Sequence, residues 1–354
     1  MDLKECFSPW YELNISYDHG LKGCCYFQET PEQWDFNKSL DFQGFWNGPR
    51  MQEIRKTVLS NKPVGTGCDR CTFIKYYKEN ALYNIPYDVN SLQRQNWERA
   101  IENHKNSKTV IDTVPIRFYF NFGLACNLNC VMCSQRHLRE ANSEQIPFEK
   151  LLELKEYLLP ANEFSIIGGE PLMLLNAKRF VEAVVKDDDY SNILLSFFTN
   201  GTLLHNFIDD FKSMKRLNVT ISLDSIGEYY ERIRRGSKWD LIERNIDLFR
   251  STAKQNNLNW NVHVSSVIMK SSIPRLVDFV DWCIGRDIPV HFVRLMAMDF
   301  TQDEDVFNNP DLIKGIANWE SIFDSAIEKL TKKGWINGGA YPLQMIKEDF
   351  KKII

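Results

Sequence analysis

The sequence lacks the features that would direct it to a membrane, a nucleic acid or an oxidising compartment. No apolar run approaches the length of a membrane span, and the amino terminus, Met-Asp-Leu-Lys-Glu-Cys, has no apolar h-region. Basic charge is not in excess: 43 Lys and Arg stand against 47 Asp and Glu, a formal net charge of −4. Nothing global therefore argues for nucleic-acid binding. A disulfide scaffold is missing too, because the nine cysteines are odd in number and fall largely into two groups. That grouping fits metal binding in a reducing cytoplasm better than paired bridges. The 354 residues suffice for one large domain and a smaller one.

Against these absences, one stretch dominates. Residues 121 to 137 read Asn-Phe-Gly-Leu-Ala-Cys-Asn-Leu-Asn-Cys-Val-Met-Cys-Ser-Gln-Arg-His, placing Cys126, Cys130 and Cys133 within eight positions. They follow Ile116–Phe120, a run rich in β-branched and aromatic residues that predicts a strand. Three thiolates on one loop suit three corners of a cubane iron–sulfur cluster, leaving one iron open. A zinc loop, with His137 as the only nearby fourth ligand, and three reduced core cysteines are the other readings of this spacing.

From Thr113 to about Met296 strands and helices alternate. Strands are predicted at 116–120, 163–167, 193–198, 219–223, 261–267 and 290–295, with helices near 148–157, 177–185, 203–214, 239–249 and 274–284. Six such units predict an α/β fold, a partial (β/α)6 TIM-like barrel whose chemistry lies at the carboxyl ends of its strands. Several motifs sit there: Gly168-Gly169-Glu170-Pro171, Thr199-Asn200-Gly201, Ser222 to Asp224, and the basic turn Arg234-Arg235-Gly236-Ser237. Gly168 and Gly169 would allow close backbone approach to a ligand, and Glu170 would accept from an ammonium group. His263 and Ser265 share one face of the fifth strand. Cys283 lies among apolar helical neighbours and reads as core.

The first 110 residues hold a second cysteine set: Cys6, Cys24, Cys25, Cys68 and Cys71. Pro9 to Cys24 reads as a hairpin around an Asp-x-Gly turn, and Gly67 to Cys71 as a Cys-x-x-Cys knuckle. Four ligands from these pieces would close a zinc or a cubane site, and spacing does not choose between them. Residues 76–112 read as a connector with a helix near Leu92–Asn103, and Lys75, Lys78, His104 and Lys105 as a solvated face.

The Cys-x-x-x-Cys-x-x-Cys loop after a first strand resembles the signature of the radical S-adenosylmethionine (SAM) superfamily, as does Gly-Gly-Glu-Pro after the second. The resemblance implies a SAM-binding [4Fe-4S] cluster on Cys126, Cys130 and Cys133, and cleavage of SAM to methionine and a 5′-deoxyadenosyl radical. It implies further that Met132, Gly168, Gly169, Glu170, Asn200, Ser222, Asp224 and Arg235 bind SAM, with an adenine wall near Val267 and Ile268. Cys-x-x-Pro-Trp, Asp-x-Gly, Cys-Cys, Phe-Trp-Asn-Gly-Pro and Cys-x-x-Cys in turn resemble an auxiliary-cluster module, SPASM or its shortened form twitch, here placed before the core. That implies a second, auxiliary [4Fe-4S] cluster on Cys6, Cys24, Cys68 and Cys71, with Cys25 an alternative to Cys24.

The expected organisation is a small cysteine-rich twitch/SPASM-like domain over 1–75, a connector over 76–112, the barrel over 113–296 and a helical tail over 297–354 that closes the barrel. The resemblance implies hydrogen abstraction from a ribosomal peptide or protein side chain. Alternatives are dehydrogenation or epimerisation of a small polar metabolite such as an amino-sugar, and a non-enzymatic iron–sulfur electron-transfer or scaffold protein. Expected partners are the peptide or small-molecule substrate and an electron donor such as flavodoxin or ferredoxin, with no membrane and no nucleic acid.

Overall fold

A computed structural model describes residues 3–24, 32–63, 85–86, 88–139, 143–296 and 299–353. The fold is α/β, of partial-barrel type, with additional elements ahead of the barrel strands. The chain forms two compact units. The first comprises Met1–Gly123, Ser143–Phe197 and Asp210–Leu217; the second comprises Leu124–Asn142, Phe198–Asp209 and Asn218–Ile354.

The first unit is built on a sheet whose strands are β1 (Glu12–Ser16), β2 (Gly20–Lys22), β3 (Glu32–Gln33), β4 (Arg117–Asn121), β5 (Glu163–Ile167) and β6 (Leu194–Thr199). Their spatial order is β3-β2-β1-β4-β5-β6. The expected hairpin is present: β1 and β2 pair antiparallel, Asn14 opposite Lys22, and Asp18 Oδ1 accepts from Gly20 N in the turn. Sequence reading did not anticipate that β1 also pairs in parallel with β4, from Glu12 opposite Arg117 to Ser16 opposite Asn121. The amino-terminal hairpin is therefore part of the same sheet, with β3 outside it at the edge.

Alternation along these strands gives the sheet two unlike faces. On one, Phe118, Phe120 and Phe164 are fully buried; Phe118 meets Phe164, and Phe120 and Phe164 meet Phe180 from the helix Leu175–Lys186. That helix buries Ala177, Phe180, Val181 and Val184, a three-and-four spacing that makes one apolar stripe. Each phenylalanine withdrawn from water contributes about 1.5–3 kcal/mol. Arg55, fully buried, ties the amino-terminal segments together by donating to the carbonyls of Pro9, Trp46 and Thr109.

The helix Ser91–Lys105 opens on a capping box between Asn90 and Gln93. His104, expected on a solvated face, is buried instead. Its Nε2 lies 3.1 Å from the Lys4 carbonyl, and its ring meets the edges of Phe7 and Trp10. The sequence spacing missed this because the partners lie about a hundred residues away. The expected boundary near residue 75 falls outside the described residues.

The second unit carries β7 (Arg216–Ser222), β8 (Asn259–Ile268) and β9 (Val290–Arg294), in that order. β8 and β9 are parallel, with Val264 opposite Val290. The helix Trp239–Gln255 buries Ile242, Ile246, Phe249 and Ala253, and Leu276–Gly285 buries Leu276, Phe279, Val280 and Cys283. In the tail, Trp319–Lys333 packs on Leu276–Gly285 and Tyr341–Ile353 on β9, with Trp319, Phe323 and Phe350 in edge-to-face contact. Among the described residues no helix is long and apolar enough to cross a membrane.

Candidate functional site

In the second unit the cysteine loop is held from both sides of its backbone. Asn129 N donates to Arg235 O at 2.8 Å and Val131 N to Ile233 O at 3.0 Å. The turn that receives them needs Gly236, whose φ is +99° and whose missing Cβ would sit 3.4 Å from the Asn127 carbonyl. Apolar packing completes the support: Leu128, Cys130 and Met132 are buried with Ile233, Met269 and Leu295, and Cys126, Cys133 and Val267 lie against them.

Each thiol faces its own polar neighbour. Arg139 donates from Nη2 to Cys133 Sγ at 3.0 Å and from Nη1 to Leu128 O at 2.6 Å. Arg234 Nη1 lies 3.9 Å from Cys130 Sγ. Asn200 Nδ2 lies 3.8 Å from Cys126 Sγ and 2.8 Å from Asn127 Oδ1, while its own Oδ1 accepts from the Thr202 amide and hydroxyl. Asn200 thus fastens the loop to the turn after β6.

Behind Cys130 stands a buried ion pair. Arg234 Nε is 2.8 Å from Asp224 Oδ2, and Asp224 Oδ1 accepts from Val267 N at 2.8 Å. Burial pushes the Asp224 carboxyl above its ordinary pKa, opposed by Arg234 and by the Val267 amide. Burial also works against the Arg234 cation, but Asp224, Cys130 and Tyr230 outweigh it and hold Arg234 charged. The Cys130 thiol is raised by burial, with Arg234 pulling the other way.

Sequence reading selected Arg235 from this basic turn. Arg235 is exposed and contributes its carbonyl; Arg234 is the residue turned inward. Helical spacing from Tyr230 could have signalled this, since the two share a face of the turn that ends the helix Gly227–Ile233. Ser222, at the end of β7, is half-buried.

The Gly-Gly-Glu-Pro motif lies in the first unit, after β5. Gly168 has φ +145°, and a Cβ there would meet the Gly123 carbonyl at 2.7 Å. Gly169 N donates to that same carbonyl at 2.9 Å. Glu170 is fully buried, and its Oε1 accepts from Leu172 N at 3.1 Å, which fixes the turn into the following helix.

The expectation of two [4Fe-4S] clusters is overturned. Among the described residues no group of three or more His, Cys, Asp or Glu is arranged to hold a metal ion. Cys126, Cys130 and Cys133 are instead separately engaged by Asn200, Arg234 and Arg139. Cys6 and Cys24 are half-buried; their expected partners Cys68 and Cys71, and the alternative Cys25, lie outside the described residues. Cys283 is buried among apolar neighbours, as its helical setting predicted.

Comparison with known proteins points the same way as the loop. The family described as the radical SAM superfamily matches residues 120–283. A probable GTP 3′,8-cyclase of Methanococcus aeolicus is 26% identical over 179 residues, 49% of this chain and 57% of that protein. A GTP 3′,8-cyclase of Campylobacter jejuni subsp. doylei is 24% identical over 237 residues, 64% of each chain. The chain thus spans less than two thirds of the length of these relatives. Among solved structures, Streptococcus suis SuiB bound to S-adenosylmethionine aligns over 78% of this chain and 60% of its own, at 13% identity and a TM-score of 0.46. Native anSMEcpe with bound AdoMet and Cp18Cys peptide aligns over 62% of this chain and 61% of its own, at 20% identity and a TM-score of 0.45.

Proposed function

From the match of residues 120–283 to the radical SAM superfamily, we propose that this chain belongs to that superfamily and is an enzyme that cleaves SAM reductively and abstracts hydrogen from a substrate. One electron converts SAM to methionine and a 5′-deoxyadenosyl radical; the radical takes a hydrogen atom from the substrate, giving 5′-deoxyadenosine and a substrate radical. The electron comes from a cellular donor such as flavodoxin or ferredoxin, and the setting is the cytoplasm.

The chain's own residues supply orientation and shielding. Glu170, with Gly168 and Gly169, receives the methionyl ammonium. Met132 and the strand end from Ser222 to Asp224 serve the adenosyl part. Asn200 orders the cysteine loop, and Arg235 is a candidate for SAM's carboxylate. The substrate is a ribosomal peptide or protein side chain.

The observation that carries this reading is the cysteine loop itself. It lies within the superfamily match and is fastened by Asn200, Arg139 and Arg234, so that its thiols are ordered without being spent on a disulfide. The test is anaerobic incubation with SAM and a chemical reductant, with 5′-deoxyadenosine followed by mass spectrometry. The wild type should form it, and a variant with Cys126, Cys130 and Cys133 all replaced by alanine should not. Equal formation by both would sink the reading.

A second reading, hydrogen abstraction from a small polar metabolite, is favoured by the curated relatives, which are named for an activity on GTP. Turnover of GTP by the same preparation would establish it.

A further inference from the structure

Three helices of the second unit, Gly227–Ile233, Trp239–Gln255 and Leu276–Gly285, contribute to a cavity of about 330 Å³. Tyr229, Trp239 and Trp282 wall it, and Glu228 and Arg275 stand at its edge. Small-molecule sites run from roughly 300 to 1,000 Å³, so this one has room for a small ring system. None of these residues belongs to the cysteine loop or to the Gly-Gly-Glu-Pro turn.

The aromatic walls are fixed by their own neighbours. Trp239 and Trp282 lie 5.2 Å apart with their planes 64° from each other, so the two rings meet as a corner. Trp282 Nε1 donates to Glu243 Oε1 at 2.9 Å, and the Arg286 guanidinium lies 5.1 Å from its ring centre. Trp239 rests 5.4 Å from the ring of Tyr230, which is fully buried and donates to Ser237 Oγ. A flat apolar group entering this corner would cover ring surface without reordering the walls.

The polar atoms of the cavity are unbalanced towards donors. Arg275 Nε is 2.9 Å from Asp278 Oδ2, and its guanidinium lies 5.4 Å from the Tyr229 ring centre. Among the described residues no hydrogen bond engages Arg275 Nη1 or Nη2, Trp239 Nε1 or the Tyr229 hydroxyl. The Glu228 carboxylate is already paired with Arg232 at 3.0 Å. A ligand that supplies acceptors therefore fits. A cation does not, because Arg232 and Arg275 each already lie 5.4 Å from the Tyr229 ring centre. The charges of Glu228, Arg232, Arg275 and Asp278 cancel, so one further negative charge is matched by the free side of the Arg275 fork. The several charges of a nucleotide phosphate would meet Glu228 and Asp278.

We propose that this cavity is a binding site for a small aromatic carboxylate. The ring lies against Trp239 and Trp282, and the carboxylate accepts from Arg275 Nη1 and Nη2. This site is independent of the SAM reading, since it uses none of the residues assigned to SAM.

The experiment is ligand-observed NMR on the full chain with two probes of the same shape, indole-3-carboxylate and its neutral amide. The wild type should bind the acid more tightly than the amide by roughly five- to tenfold, less than a buried ion pair would give because Arg275 is partly exposed. Arg275→Gln should abolish that preference, and Arg275→Lys, which keeps the charge but not the fork, should retain part of it. Trp239→Ala should weaken both probes alike. Unchanged melting temperatures would show that the variants fold, and the comparison of acid with amide on the wild type needs no variant at all.

An amide bound as tightly as the acid, or no saturation transfer to either probe at millimolar concentration, overturns the inference. So does a preference for the acid that survives Arg275→Gln, because the carboxylate would then be held elsewhere.

Discussion

Arg234 Nε lies 2.8 Å from Asp224 Oδ2, with both side chains buried directly behind Cys130. Two charges withdrawn from water in this way are stable only together. Removing one leaves the other buried and unpaired, which costs more than the pair contributes. The pair also joins three segments, since Asp224 accepts from Val267 N while Arg234 follows the helix Gly227–Ile233.

Asp224→Asn is therefore expected to lower stability by about 3–5 kcal/mol. The double variant Asp224→Asn with Arg234→Met should recover part of that loss, because it removes the stranded cation. Urea denaturation of the two single variants and the double variant, closed as a mutant cycle, measures the coupling. A coupling near zero would show that the pair is not held in solution.

The approach of Gly168 to Gly123 gives a second expectation. Alanine at 168 combines a φ of +145° with a Cβ placed 2.7 Å from a backbone carbonyl that cannot swing aside. Strain of this kind costs about 1–3 kcal/mol. Gly168→Ala should thus lower the melting temperature, while Gly315→Ala, where the nearest atom is 3.4 Å away and φ is helical, should not. Differential scanning calorimetry of the two variants decides it.

Glu170 separates a structural role from a ligand role. Its Oε1 accepts from Leu172 N, and glutamine keeps an acceptor there. Glu170→Gln should leave the melting temperature within about a degree, yet weaken SAM by roughly ten- to a hundredfold if the lost charge faced the ammonium. Isothermal titration with SAM measures the second quantity. Unchanged affinity would assign Glu170 to the turn alone.

His104 predicts a pH dependence. Burial lowers its pKa below the ordinary 6.5, with the hydrogen bond to Lys4 O acting in the opposite direction. As pH falls, the unfolded chain therefore takes up the proton before the folded one does. The contribution to stability is complete above the unfolded pKa near 6.5 and is lost as pH falls through the lower folded value. The urea midpoint of the wild type should drop more steeply between pH 7 and pH 5 than that of His104→Gln. Parallel curves would remove His104 as the cause.

Much of the barrel was legible in the sequence. The six strands are found within a few residues of their expected positions, because alternation and short apolar runs are local signals. The cysteine loop, the Gly-Gly-Glu-Pro turn and the hairpin around Asp18 were local as well. Three things were less legible. The helix predicted near 203–214 is instead a 3-10 turn, Leu204–Asn206, and one short helical turn, Ile208–Phe211. Arg234 was passed over for its exposed neighbour. The cluster expectation, carried by cysteine spacing, found no converging ligand group among the described residues.

The sequence by itself determined which segments are strands, where the polypeptide must turn on glycine, and which thiols lie on one loop. Those properties depend on backbone sterics and on hydrophobic period within a few residues. Tertiary structure alone decided that β1 lies beside β4, so that Asn14 stands in a row with Tyr119, Ser165 and Ser196. It alone decided that Arg234 meets Asp224 and that His104 meets Lys4. Strand pairing and ion pairing across ten to a hundred residues follow from which surfaces are buried together, and no local pattern in the chain encodes that choice.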